Sequence, residues 1–95
     1  MSYLDAAKLI LEPLLDDSRL ANVFGPDGTY FDATAIERAE TLSTGERALV
    51  AFAQAIYTQT PTAGSSIVEL GKLARDSRAR VLRSVATFYD IGIWP

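Results

Sequence analysis

The hydrophobic and polar positions along the first sixteen residues repeat at the spacing of a helix. One side of the predicted helix carries an apolar stripe, formed by Tyr3, Ala7, Ile10, Leu11 and Leu14. Ser2 followed three residues later by Asp5 is a helix-start signal. Pro13 lies inside the pattern and has no backbone N–H to donate. It therefore predicts a kink or break near Glu12 and a second short helix that begins at Pro13.

The segment NVFGPDGTYFD, residues 22–32, concentrates residues that form tight turns. Gly25 and Gly28 allow the positive φ angles that a sharp reversal needs. The apolar pairs at residues 23–24 and 30–31 could pair with each other across the reversal. Because two isolated strands are marginally stable, their aromatic side chains would have to pack on helices. The segment predicts a turn or mini-hairpin near residues 23–31.

Two short helices are predicted from capping boxes, in which a Ser or Thr accepts from a backbone N–H and an acidic residue three positions later caps in return. Thr34 with Glu37 begins a helix that ends at about residue 40. Ser66 with Glu69 begins another that ends at about residue 74.

The segment TLSTGERALVAFAQAIY, residues 41–57, opens with a third capping box, formed by Ser43 and Glu46. The helix that follows should span about residues 44–59 and stop before Pro61. Apolar residues surround this helix on nearly every side, and that distribution is typical of a buried helix. We expect it to be the central helix of the fold.

The start of this segment, LSTGE at residues 42–46, resembles the LSGGQ-type loop of ABC ATPases, where backbone N–H groups at a helix N-terminus contact a phosphate. Those ATPases also need a G-x-x-x-x-G-K-[ST] loop. The Gly71–Lys72 pair has Ser66 where the first glycine belongs and Leu73 where Ser or Thr belongs. A chain of 95 residues is also too short for a nucleotide-binding domain. The motif is therefore predicted to cap a buried helix.

The predicted elements together indicate a single all-α domain over residues 1–95, a compact bundle of about five helices around the central helix. The sequences LSTGERALVAFAQAIY and SIVELGKLARDSRARVLRSVATF, within residues 41–90, resemble small uncharacterised helical proteins of bacteria and their phages. Those proteins carry an LS(S/T)GE-type helix, a short helix and an (N/S)RxRVLxA-type helix. The resemblance implies a compact helical unit and brings no particular activity.

Composition narrows the chemistry, since the chain contains neither cysteine nor histidine. Disulfides, thiolate metal sites, histidine zinc ligands and a serine–histidine nucleophile are therefore excluded. Asp16 and Asp17 would diverge by about 100° on a helix, so they cannot act on one substrate. Glu37 and Glu40 share a face, and a short exposed helix normally carries such charges for solubility. We expect no metal, no cofactor and no enzymatic activity.

The net charge of −3 conceals an asymmetry along this small acidic chain. Residues 1–46 hold nine acidic and three basic residues, whereas residues 47–95 hold six basic and three acidic ones. Either the two halves pack with complementary charges, or the basic half faces an acidic partner.

The last predicted helix begins at Asp76 or Ser77 and ends near Asp90, with Gly92 placed to terminate it. Its first part carries an arginine cluster, formed by Arg75, Arg78, Arg80 and Arg83. Arg80 is four residues from Asp76 and could pair with it. The cluster is either a solvated or internally paired face, or a surface for an anionic partner.

The tail DIGIWP, residues 90–95, places Trp94 beyond the last helix. Its indole either folds back onto the helices or anchors a partner or a second copy of the chain. The oligomeric state is therefore left open, with a homo-oligomer among the alternatives.

We interpret the chain as a non-enzymatic protein-interaction module, of the kind a phage or mobile element uses to bind and modulate a host protein. The candidate partner-binding residues are Arg75, Arg78, Arg80, Arg83 and Trp94. The alternative is a nucleic-acid-binding, helix-turn-helix-like domain at residues 66–90. Arg75 stands where the turn glycine usually falls, and Asp76 where an apolar residue is expected, so this alternative ranks second.

Localisation follows from two features of the sequence. The chain does not begin with a basic region before an apolar one, so we expect no secretory signal. Its most apolar run, residues 48–53, is shorter than the ~20 residues that a membrane span needs. We expect a cytoplasmic protein that does not enter a membrane.

Overall fold

A computed structural model describes residues 2–32, 34–60, 65 and 67–89 of the chain. The helices are α1 (Tyr3–Leu11), α2 (Ala35–Arg38), α3 (Thr44–Thr58), α4 (Ile67–Leu70) and α5 (Arg75–Tyr89), with short 3₁₀ turns at Glu12–Leu14, Ser18–Leu20 and Ala39–Thr41. Most of the described chain is helical and none of it forms a strand, which confirms the all-α prediction. Because α2 and α4 are single turns of four residues, a bundle of about five helices is not confirmed.

Helix α1 begins and ends for the predicted local reasons. The Ser2 hydroxyl accepts the Asp5 N–H at 3.0 Å, and the Asp5 carboxylate accepts the Ser2 N–H at 3.3 Å. The helix stops at Leu11, and Pro13 lies in the 3₁₀ turn that follows. One detail was wrong: Tyr3, expected in the buried stripe, is 51% exposed, whereas Ala6 is fully buried.

Helix α3 carries the capping box predicted from its sequence. The Ser43 hydroxyl accepts the Glu46 N–H at 3.2 Å, and the Glu46 carboxylate accepts the Ser43 N–H at 3.1 Å. The helix ends at Thr58 because Gln59 adopts a left-handed φ of 55°. Its buried residues are Ala48, Leu49, Val50, Ala51, Ala53 and Ile56.

Helix α1 packs against both other long helices, α3 and α5. Ala6 and Ala7 are 0% exposed, and their small side chains allow the neighbouring helices to approach closely. The hydroxyl of Ser84, also fully buried on α5, donates to the carbonyl of Ala6 at 2.9 Å. Helix α3, predicted to be the central helix, contacts α1, α2 and α5, and α1 contacts α5 more extensively than α3 does.

The reversal at residues 22–32 is a turn in the structure. Gly25 and Gly28 both have a φ of 75°, as the turn prediction requires. The Asp32 N–H donates to the Val23 carbonyl at 2.7 Å, which draws the two sides together without forming strands. A Cβ on Gly25 would lie 2.5 Å from the Tyr30 ring, so close packing and backbone conformation both require glycine there.

The last two helices begin or end differently from the prediction. Helix α4 stops at Leu70 rather than near residue 74, because Gly71 continues into a turn and donates to the Val68 carbonyl at 3.1 Å. Helix α5 already begins at Arg75, since the Arg78 N–H donates to the Ala74 carbonyl at 2.8 Å. Asp76 and Ser77 therefore lie inside its first turn and do not cap it.

One further prediction differs from the structure, and two others fall on residues that the structure does not describe. The Thr34 hydroxyl, expected to cap α2, donates to the Asp32 carboxylate at 2.7 Å. The capping residue Ser66 lies outside the described residues, as do Asp90 and Gly92 at the predicted end of the last helix.

We predict that Ala7→Leu lowers the free energy of unfolding by about 1–3 kcal/mol, because the added atoms have no room where α1 meets its neighbours. Ala21→Leu, at an exposed position, should change it by less than about 0.5 kcal/mol. Urea denaturation measures both values. Equal stabilities would contradict the close packing of α1.

The 3₁₀ turn at Ser18–Leu20 is held by an ion pair that should depend on pH. Arg19 donates to both carboxylate oxygens of Asp17, at 3.0 and 2.7 Å, and to the Thr41 carbonyl at 2.8 Å. The bonds that the Arg19 side chain and backbone donate to the carboxylate lower the pKa of Asp17 from 3.8 to about 2.

We predict that Asp17→Asn removes part of the acid-induced loss of stability. A carboxylate whose pKa is lowered by folding stabilises the fold above about pH 4 and loses that contribution as the pH falls towards 2. The thermal midpoint, measured by circular dichroism, should decrease more between about pH 6 and about pH 2 in the unmodified protein than in the variant. The same fall in both proteins would refute the role of Asp17.

Candidate functional site

The four arginines of α5 do not form one cluster in the structure, because the helix directs them to different neighbours. Arg80 faces α1: its Nη1 donates to the Leu9 carbonyl at 3.2 Å and lies 3.7 Å from the Glu12 carboxylate. Pro13, four residues after Leu9, has no N–H to offer that carbonyl, so Arg80 supplies a donor in its place. The pairing expected with Asp76 is replaced by this contact.

Arg78 holds the start of α5 against the connection that precedes it. Its Nη2 donates to the carbonyls of Leu73 at 3.0 Å and Gly71 at 3.3 Å. Carbonyl groups fix the orientation of the guanidinium but carry no net charge to neutralise it. The side chain is exposed, and its positive charge remains available to a partner.

Arg75 and Arg83 are the arginines that project into solvent. Both are exposed, and neither forms a hydrogen bond or ion pair with another residue in the described part of the chain. They are separated by eight positions, or about 12 Å along the helix and about 80° around it. They therefore form an extended basic face, and both cannot bind the same small anion.

Trp94, the remaining candidate from the sequence, lies outside the described residues. The alternatives for the tail of residues 90–95 stay predictions.

An apolar groove between α3 and α5 was missed in the sequence. It has a volume of about 360 Å³. Ile10 of α1 lies in it, together with side chains of the two helices on either side; these are Phe52, Ala55, Ile56, Val81 and Val85. The spacing of these residues is visible in the sequence as two helical stripes. Nothing local to either stripe says that the two would face each other.

The groove has a polar edge at the C-terminal ends of both helices. Gln59, Thr60, Ser65 and Tyr89 line it there, and the Tyr89 hydroxyl donates to the Gln59 side-chain carbonyl at 2.7 Å. Along α5, Val81, Val85 and Tyr89 follow one another every four residues, and Arg78 precedes Val81 by three. The groove stripe on α5 thus continues into a basic side chain.

The carboxylates with resolved pKa shifts all lie in caps and turns. Hydrogen bonds from Ser2, Thr29 and Thr34 lower the pKa values of Asp5, Asp27 and Asp32, respectively. These shifts favour the charged form, which is the form that caps and ion pairs use. They assign the three groups a structural role in their own segments.

Comparisons with protein-family models, curated proteins and solved structures find no match. The described residues contain no group of three or more acidic side chains placed to hold a metal ion. None of the helices in the described ranges has both the length and the apolar run that crossing a bilayer requires.

We predict that Arg80→Ala lowers the free energy of unfolding by about 1 kcal/mol, because it leaves the Leu9 carbonyl without its charged donor. Arg83→Ala, on the same helix, should change stability by less than about 0.5 kcal/mol. Chemical denaturation measures the free energy of unfolding of both variants. If both variants were equally stable, the contact of Arg80 with α1 would contribute nothing.

Proposed function

We propose that this protein is a non-enzymatic protein-interaction module, a compact bundle of helices that binds an acidic surface of a partner protein through α5. The observation that carries the proposal is the exposed basic face of α5. Arg75 and Arg83 have no counter-ion among the described residues, and within the same part of the chain the charge of Arg78 meets carbonyl groups alone. It stays a prediction that the protein is a phage or mobile-element accessory protein that modulates a host protein.

The groove beside this face supports a protein partner. Protein interfaces combine an apolar centre, where side chains are desolvated, with a polar rim that remains accessible to water. The apolar residues of the groove and Arg78, which continues the groove stripe of α5, have this arrangement, whereas Arg83 lies about 160° around the helix from Val81 and Val85. Arginines that only kept the helix soluble would need no apolar groove beside them.

Nucleic acid is the weaker candidate. A helix-turn-helix domain supports its recognition helix with a preceding helix, and α4 offers a single turn of four residues. Arg80 faces α1, which leaves fewer arginines for phosphates. The net charge of −3 also opposes binding to a polyanion.

We predict that neutralising the basic face reduces partner capture several-fold. The tagged full-length chain would be used as bait in a nuclease-treated bacterial lysate at about 0.15 M salt. Arg75→Gln/Arg83→Gln should recover much less of the proteins that the unmodified chain retains. Arg75→Lys/Arg83→Lys keeps both charges and is the matched control.

Two outcomes would contradict the proposal. The same proteins captured equally by all three baits would show that the basic face binds nothing. Tight binding to a labelled DNA duplex, weakening steeply with salt and abolished by the glutamine variant, would favour the nucleic-acid alternative.

A further inference from the structure

The groove between α3 and α5 defines the chemistry of the partner more closely than the arginines do. We propose that it binds an amphipathic helix whose apolar side chains enter the groove and whose acidic residues lie against Arg78 and Arg75. This inference rests on the proposed function, since it names the part of the partner protein that the module recognises.

The length of the groove matches two turns of a helix. Its α3 side extends from Phe52 to Gln59, and its α5 side from Val81 to Tyr89. At 1.5 Å per residue these stretches measure about 10 and 12 Å, against 5.4 Å for one helical turn. A bound helix would therefore present apolar residues at positions i, i+4 and i+7, the pattern of helix-in-groove recognition.

The depth and lining of the groove suit apolar side chains. Ile10 and Ile56 are buried in the core and present their remaining surface to the groove, while Phe52 and Val85 are partly buried and pack against that core. A volume of about 360 Å³ lies at the lower end of the ~300–1,000 Å³ typical of binding clefts. Leucine-like side chains would fill it and displace water from both helices.

Charge selects an acidic partner. Arg78 lies three residues before Val81 on the groove stripe of α5, which is about 4.5 Å along the helix, and Arg75 lies one further turn away. Hydrogen bonds to the Leu73 and Gly71 carbonyls orient the Arg78 guanidinium without neutralising it. A partner helix with acidic residues one turn beyond its apolar anchors meets both positive charges, whereas a basic helix would be repelled.

The opposite end of the groove carries a hydrogen bond between side chains from two elements. The hydrogen bond between Tyr89 and Gln59 joins α5 to the end of α3, although Tyr89 is 51% exposed. A side chain already held in place loses less conformational entropy on binding. This hydrogen bond therefore reduces the entropy cost of contacting a partner helix at this edge.

The test uses a fluorescein-labelled synthetic helical peptide of about 16 residues, with leucines at i, i+4 and i+7 and glutamates one turn beyond each end of that stripe. A matched peptide carries lysines in place of the glutamates. Fluorescence anisotropy with the full-length chain should show the glutamate peptide binding at least about tenfold more tightly than the lysine peptide. Equal affinities would overturn the assignment of charge.

Variants of the protein locate the site. Ala55→Phe fills the groove and should weaken binding of the glutamate peptide at least about tenfold, while Ala21→Phe, exposed and outside the groove, should leave it unchanged. Ala55→Glu is a second variant for the case in which phenylalanine disturbs folding, because its charge repels the same peptide. Circular dichroism confirms that each variant is folded.

The result can separate this inference from the proposed function. Unchanged peptide binding by both Ala55 variants overturns the groove site, and the lysate capture with the Arg75/Arg83 variants still decides the function. A concentration-dependent dimer lost in Ala55→Phe would make a second copy the occupant. A changed emission of Trp94, the only tryptophan, in that variant without peptide would make the chain's own tail the occupant. Either occupant overturns the proposal.

Discussion

The close contact of α1 with both α3 and α5 is the constraint on which the rest of the structure depends. It requires small residues at Ala6 and Ala7, and two polar side chains of α5 secure it by donating to carbonyls of α1. One of those carbonyls, at Leu9, loses its usual helical donor because Pro13 follows four residues later. The proline that ends α1 thus also creates the acceptor that docks α5.

This packing decides which arginines form contacts within the fold. Arg80 stabilises the fold because it bonds to α1, and Arg78 secures the start of α5. Arg75 and Arg83 make no such contact in the described part of the chain. Four arginines within nine residues look like one feature in the sequence, but successive positions on a helix differ by about 100°, so they serve different neighbours.

The sequence predicted the features whose interactions span three or four residues. Examples are the capping box of Ser43 with Glu46 and the break before Pro13, because both partners are near in the chain. The bond of Ser84 to Ala6 joins residues 78 positions apart, and the groove needs two stripes from separate helices. Such features depend on how the helices pack, which no local pattern encodes. The start of α5 was misjudged because Asp76 and Ser77 are good caps that the chain did not use.

The groove is explained in part by packing alone. Ile10, Ile56 and Val81 are buried in the core, so part of the apolar lining is a by-product of packing α3 and α5 against α1. If packing alone explained the groove, any solvated side chain could border its ends. Here the α5 stripe begins at Arg78, which has no counter-ion among the described residues, and ends at Tyr89, which is hydrogen-bonded to Gln59 at the end of α3. In the proposed recognition, an apolar centre between a cation and a polar edge would select partners by charge as well as by shape.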